Sequence, residues 1–311
     1  MFGPLFRRGF AGGLLLSAAG VVGLRWLLQH QSDRDFGCGV NSILRKGIVF
    51  TRVDPLAQFG FPDLGPPVRW YSKHAVGWNP ELRIPSWVAE HITKTSLHGP
   101  GERSKAWFRM DPAIPQSLSA SDGDYKHSAW IRGHLVPVED NKVSQQAMDE
   151  AFLYSNIIPQ DKTNAEGIWR SLEDYCRELT ERFRYVWVVS GPLFRPTEGT
   201  QRSIKYQIIG DAGVAVPTHL YKVVVAQGSS EQRPALAAFV IPNSPIEADW
   251  SLHSFQTELI EVERTAGLTF FPRLARVGVH APQDLCAVDV CETQAFVDKW
   301  AKERRKMRAQ G

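Results

Sequence analysis

Two hydrophobic periods run along this chain. Val186 to Ser190, Leu220 to Ala226 and Leu236 to Ile241 are β-branched or apolar runs, separated by turn signals such as Gly210-Asp211, Gly228-Ser229-Ser230 and Pro242-Asn243. With Lys205 to Ile209 they predict strands of one antiparallel sheet. Val68 to Ser72 alternates like a further strand, and Pro85 to Ile92 reads as a short helix or strand. The 3.6-residue period is clearest at Ile168, Leu172, Tyr175, Cys176, Leu179 and Phe183, which predict an amphipathic, packed helix. Thr163 and Glu166 have the spacing of a capping box at its start. Asn141 to Phe152 reads as a helix or turn-helix, followed by a strand over Leu153 to Ile158 that Pro159 ends. Another helix is expected over Leu252 to Ala266, stopped by Gly267. Strand runs and helices that do not alternate indicate an α+β fold rather than a doubly wound sheet.

The flanks are different in character. Arg7 and Arg8 precede an apolar run from Phe10 to Leu24, Arg25 is followed by Trp26-Leu27-Leu28, and no acidic residue occurs before Asp33. A secretory signal, a mitochondrial presequence and a membrane anchor compete for residues 1–36; the acid-free, Arg-bearing start favours the mitochondrion, as an inner-membrane anchor or an uncleaved presequence. Residues 37–67 are expected to be a linker punctuated by Gly60, Pro62, Gly65, Pro66 and Pro67, residues 68–292 the folded domain, and 293–311 a basic tail. Lys299, Lys302, Arg304, Arg305, Lys306 and Arg308 in that tail suit nucleic acid or anionic lipid, or a solvated terminus.

At 311 residues and 43% hydrophobic content, the chain can bury a large core. Its net charge of +3, from 36 basic and 33 acidic residues, is too small to establish a nucleic-acid partner. Cys38, Cys176, Cys286 and Cys291 contain no C-x-x-C pair, so reduced and mostly buried thiols are expected. No nucleophile elbow, phosphate loop or dinucleotide fingerprint is present.

The residue types that carry chemistry lie between Trp130 and Arg177. Arg132-Gly133-His134 joins a permanent phosphate fork to a base that works near neutral pH. Ser155-Asn156-Ile157-Ile158-Pro159-Gln160 follows, and then Trp169, Glu173 and Arg177 on the predicted helix. This order resembles the DNA/RNA non-specific endonucleases, the ββα-metal nucleases with the His-Me finger. Tyr175 to Phe183, Val186 to Leu193 and Val214 to Pro217 are similar to their mitochondrial exo/endonuclease G branch.

The resemblance implies hydrolysis of DNA and possible RNA phosphodiester bonds, endo- or 5′-exonucleolytic, to 5′-phosphate and 3′-hydroxyl ends. His134 would be the general base, Arg132 would stabilise developing charge, Glu173 would orient metal-bound water, and Arg103 and Arg177 would hold substrate phosphate. It also implies Mg²⁺ (or Mn²⁺) and a homodimer. One position departs from the pattern: the metal-binding asparagine falls at Ala165, and the nearest asparagine is Asn164. Inside a helix, at about 100° per residue, Asn164 would lie roughly 180° from Glu173; ahead of the first turn its side chain could swing toward the metal or serve as N-cap. The alternative to an active nuclease is a weakened relative that binds nucleic acid without efficient cleavage.

Overall fold

The computed structural model describes residues 41–45, 48–52, 54–197, 202–247, 249–275 and 281–310. The chain forms two units, Met1–Asp54 and Pro55–Gly311. Within the first, strand β1 (Asn41–Arg45) pairs antiparallel with β2 (Ile48–Arg52). Apolar residues 10–28 lie outside the described residues; among the described ones no helix is long and apolar enough to cross a membrane.

In the second unit the strands are β3 (Val68–Trp70), β4 (His74–Asn79), β5 (Ile84–Ile92), β6 (Ile131–His134), β7 (Ile157–Gln160), β8 (Tyr185–Leu193), β9 (Ile208–Ile209), β10 (Val214–Ala215), β11 (His219–Gln227), β12 (Ala235–Pro242), β13 (Gln256–Thr257) and β14 (Gln283–Asp284). The helices are α1 (Asp122–Lys126), α2 (Gln145–Ala151), α3 (Lys162–Glu166), α4 (Ile168–Leu179), α5 (Leu259–Ala266), α6 (Leu285–Val288) and α7 (Gln294–Gln310). The main sheet has the order β13-β12-β11-β8-β5-β4-β3, antiparallel throughout, with β14 added parallel to β12. The architecture is α+β.

Both faces of this sheet are covered, which is why its central strands are apolar without interruption. On one face Val88, Val188, Val224 and Phe239 pack with Leu172, Tyr175, Cys176 and Leu179 of α4. On the other, Trp87, Trp187, Val223 and Ala238 meet Val262, Phe270 and Phe271. Gly77 is required by that packing, since a Cβ there would stand 2.2 Å from the Trp87 indole nitrogen. Three polar residues interrupt the α4 face: the strand registers place Ser190 between Val88 and Lys222, and Glu90 opposite Val188.

Several expectations are corrected by tertiary packing. Residues 55–67 belong to the fold: the Trp187 indole N–H donates to the Pro55 carbonyl at 2.7 Å, and Phe61 stacks on Trp87 at 5.7 Å. Of Lys205 to Ile209 only β9 is strand, in a separate ribbon with β10. Leu252 to Ala266 divides into a 3-10 turn, β13 and α5, with Gly267 in the left-handed conformation at φ 67°. Pro159 lies inside β7 instead of ending it, tolerated because that strand belongs to a two-stranded ribbon. Cys286 and Cys291 form a disulfide, Cys176 is free and buried, and Cys38 lies outside the described residues.

His74 is fully buried, stacks on Tyr71 at 4.7 Å, and has no partner on either ring nitrogen. Burial pushes its pKa down to about 3, with Asp111 pulling the other way. Such a histidine gains its proton only on unfolding as pH falls below about 6.5, so its contribution to stability is complete above that pH and declines toward pH 3. Between pH 7.5 and 4.5 the wild-type chain should lose about 3 kcal/mol more stability than His74→Phe. Urea unfolding at the two pH values measures this, and equal losses would contradict it.

Candidate active site

The antiparallel β6–β7 ribbon and α4 form a ββα unit. Gly133 is fixed by close approach: an added Cβ would lie 2.1 Å from Gln160 Oε1 of the partner strand. After His134 the chain is pinned by buried Asn156. Its carbonyl accepts from Leu135 N–H at 3.1 Å, its Oδ1 accepts from Val136 N–H at 2.9 Å, and its Nδ2 donates to the Val136 and Ala151 carbonyls. The Ser-Asn element therefore holds the base in place from behind.

A cleft of about 720 Å³ opens over the unit, lined by Arg103, Arg132, His134, Ala165, Glu173 and Arg177 among others. Sequence reasoning had singled out every one of these except Ala165 as a candidate site residue, and the fold brings them together. The His134 ring lies 5.3 Å from Phe108 and 5.0 Å from Phe152, and its buried Nε2 has no hydrogen-bond partner. Burial, reinforced by Arg103 and Arg132, pushes its pKa down to about 3. At neutral pH the imidazole is an uncharged base.

The arginines occupy different states. Arg132 pairs with Asp122 and lies 4.5 Å over the Phe108 ring. Arg103 is exposed and stands 3.9 Å from Glu139. Arg177 is clamped between Asp140 at 2.8 Å and Asp174 at 2.6 Å. Its guanidinium is engaged with protein carboxylates and acts on the adjacent Glu173. Burial pushes the Glu173 carboxyl up to about 8, while Lys222 and Arg177 draw it down.

Asn164 is the expected site residue that the fold does not bring to the cleft. Its Oδ1 accepts from Gln160 Nε2 at 2.9 Å and its Nδ2 donates to the Pro242 carbonyl at 2.8 Å, with the side chain fully buried. The cause is local. Asp161, rather than Thr163, caps the helix by accepting from Asn164 N–H, so Asn164 already lies in the first turn of α3. Ala165 faces the cleft without a side-chain oxygen. Among the described residues no group of three metal-type ligands occurs. Among the described residues the cleft carboxyls of Glu166 and Glu173 form no ion pair with Lys or Arg within 4.0 Å, and their oxygens are the hard-donor type that a cation leaning on few protein ligands takes.

Beneath the cleft lies a group that sequence reasoning missed. Lys222 is 1% exposed; its Nζ donates to Ser190 Oγ at 2.8 Å and to the Leu135 carbonyl at 3.3 Å, and stands 4.5 Å from the Trp169 ring centroid. Glu90 is buried nearby, its carboxyl held well above the usual range by burial and then by Asp140, against the pull of Lys222. The available signal was a lysine inside His219–Gln227 and a glutamate inside Ile84–Ile92, charged residues in otherwise apolar strands.

The family model for DNA/RNA non-specific endonucleases matches residues 52–277. The chain belongs to this family. Within the family it is 41% identical over 296 residues to a Danio rerio protein named mitochondrial nuclease EXOG, covering 94% of this chain and 82% of that one. The human protein of that name is 44% identical over 295 residues, covering 94% and 78%. Human mitochondrial endonuclease G is 37% identical over 226 residues, covering 72% and 75%. A crystal structure described as an EndoG/EndoGI complex superposes with a TM-score of 0.68 at 34% identity, over 71% of this chain and 91% of that one. As a family member the chain is a nuclease, and the metal dependence of ββα-metal nucleases comes with the fold.

Because Lys222 touches the residue after His134 and the ring one turn before Glu173, its loss should displace both without removing either. Lys222→Met is expected to lower kcat by about 10²-fold with little change in KM for duplex DNA. Lys222→Arg, which keeps the charge, should recover part of the loss. A raised KM with kcat retained would contradict this role.

Proposed function

We propose that this chain is a mitochondrial, metal-dependent nuclease that hydrolyses DNA, and RNA as a second substrate, to 5′-phosphate and 3′-hydroxyl ends. The observation that carries the reading is the His134 imidazole, set between Phe108 and Phe152 in a cleft flanked by arginines. The His134 ring takes the proton of the attacking water. Arg132 and Arg103 offer N–H groups to the phosphate oxygens, whose charge grows as the bond to the water forms. Arg177 works at one remove: its carboxylate clamp keeps it beside Glu173, which orients the water.

Mg²⁺, or Mn²⁺, when bound by Glu173 and Glu166 directly or through water, would neutralise a non-bridging oxygen and the leaving 3′-oxygen. With Asn164 turned to Pro242, this set takes the place of the asparagine oxygen missing at Ala165. The acid-free segment before Asp33 and the mitochondrial names of the relatives support the location. The apolar run from Phe10 to Leu28 is proposed as an inner-membrane tether, and a homodimer as the assembled form.

Full-length protein should cleave labelled duplex DNA in Mg²⁺ or Mn²⁺, and His134→Ala should lower the rate by about 10²- to 10⁴-fold without loss of DNA binding. Ala165→Asn should lower the Mg²⁺ concentration giving half the maximal rate. Cleavage that persists in His134→Ala would refute the base assignment, and unchanged Mg²⁺ dependence in Ala165→Asn would refute the account of the metal site.

A further inference from the structure

Phe108 lines the cleft, and Trp107 and Arg109 flank it in the chain, Arg109 forming an isolated parallel bridge with Leu153. The backbone here is fixed: Arg109 N–H donates to the Phe152 carbonyl at 3.2 Å, and Tyr154 N–H donates to the Arg109 carbonyl at 3.0 Å. Phe108 turns inward, against the His134 ring and beneath the Arg132 guanidinium. Trp107 is 64% exposed. An indole so placed adds little to the core, and it stands one residue from the group that packs on the base.

Arg109 completes the arrangement. Its guanidinium carbon lies 5.6 Å from the Trp107 ring centroid, within cation–π range. Nη1 of Arg109 is buried with no hydrogen-bond partner, and no carboxylate of the described residues pairs with it, although neighbouring Arg103 and Lys105 pair with Glu139 and Glu102. A flat apolar face held beside an unpaired planar cation, on a fixed backbone, is the chemistry that takes an unpaired base and its phosphate.

We propose that Trp107 and Arg109, which flank the cleft-lining Phe108 in the chain, form a binding site for one unpaired nucleotide of single-stranded nucleic acid, its base on the indole and its phosphate on the guanidinium. The site rests on the nuclease reading and adds a preference to it. Bases in a duplex are stacked on one another and offer the indole no face. Single-stranded substrate therefore gains a contact that duplex lacks.

The test uses the full-length chain carrying His134→Ala, so that substrate survives, and fluorescence anisotropy at low salt with a labelled twelve-residue oligothymidylate and a duplex of equal length. Adding Trp107→Ala should weaken oligothymidylate binding by about tenfold and leave duplex binding unchanged; Trp107→Phe should retain most of the affinity. Arg109→Ala should weaken oligothymidylate more than Arg109→Lys does. An abasic oligonucleotide should bind alike with and without Trp107. Unchanged oligothymidylate binding, equal weakening of both substrates, or no oligothymidylate binding by the parent protein would each overturn the site. Failure of the nuclease reading shows separately, as absence of duplex cleavage by the native chain with metal.

Discussion

Lys222 puts an ammonium group between the sheet and the ββα unit, where it bonds Ser190 Oγ of β8 and the carbonyl of Leu135, the residue that follows His134. The same group lies against Trp169, so one buried cation touches the sheet, the ribbon and the helix. A charge taken out of water is tolerated only when its surroundings compensate. Asp140, bonded to the second cation Arg177, supplies negative charge, while burial favours the protonated carboxyls of Glu90 and Glu173. The floor of the cleft is thus an ionic cluster that fixes the catalytic groups from below.

Above this floor the governing constraint is desolvation. Phe108 and Phe152 enclose His134, and Arg103 and Arg132 add positive charge, so the proton-free imidazole is the favoured form. The same arginines that suit a phosphate therefore prepare the base. Asn156 and the Gln160–Gly133 contact set the ring's position through the backbone. Sheet alternation does the rest: Glu90, Ser190 and Lys222 share one face because β5, β8 and β11 pair in the register that brings even-numbered positions together.

Much of this is legible in the sequence, for physical reasons. The α4 stripe from Ile168 to Leu179 obeys the helical period because one side packs on the sheet. Runs such as Val186 to Ser190 show β-branched continuity because both sheet faces are covered. What local pattern could not supply was tertiary. The orientation of Asn164 depends on Asp161 capping and on the distant Pro242 carbonyl, 78 residues away. The role of Lys222 depends on its bond to the Leu135 carbonyl, 87 residues away. The Cys286–Cys291 disulfide closes a five-residue separation that resembles neither a zinc motif nor a disulfide framework.

The central claim is that His134 is an uncharged base because burial and its two arginines exclude its proton. The most direct measurement is a pH titration of the full-length protein by nuclear magnetic resonance with isotope-labelled histidine, His134 being assigned by loss of its signal in His134→Ala. The account predicts that its ring signals stay those of neutral imidazole from pH 7.5 down to 5. A titration centred near the ordinary histidine value of about 6.5 would contradict it.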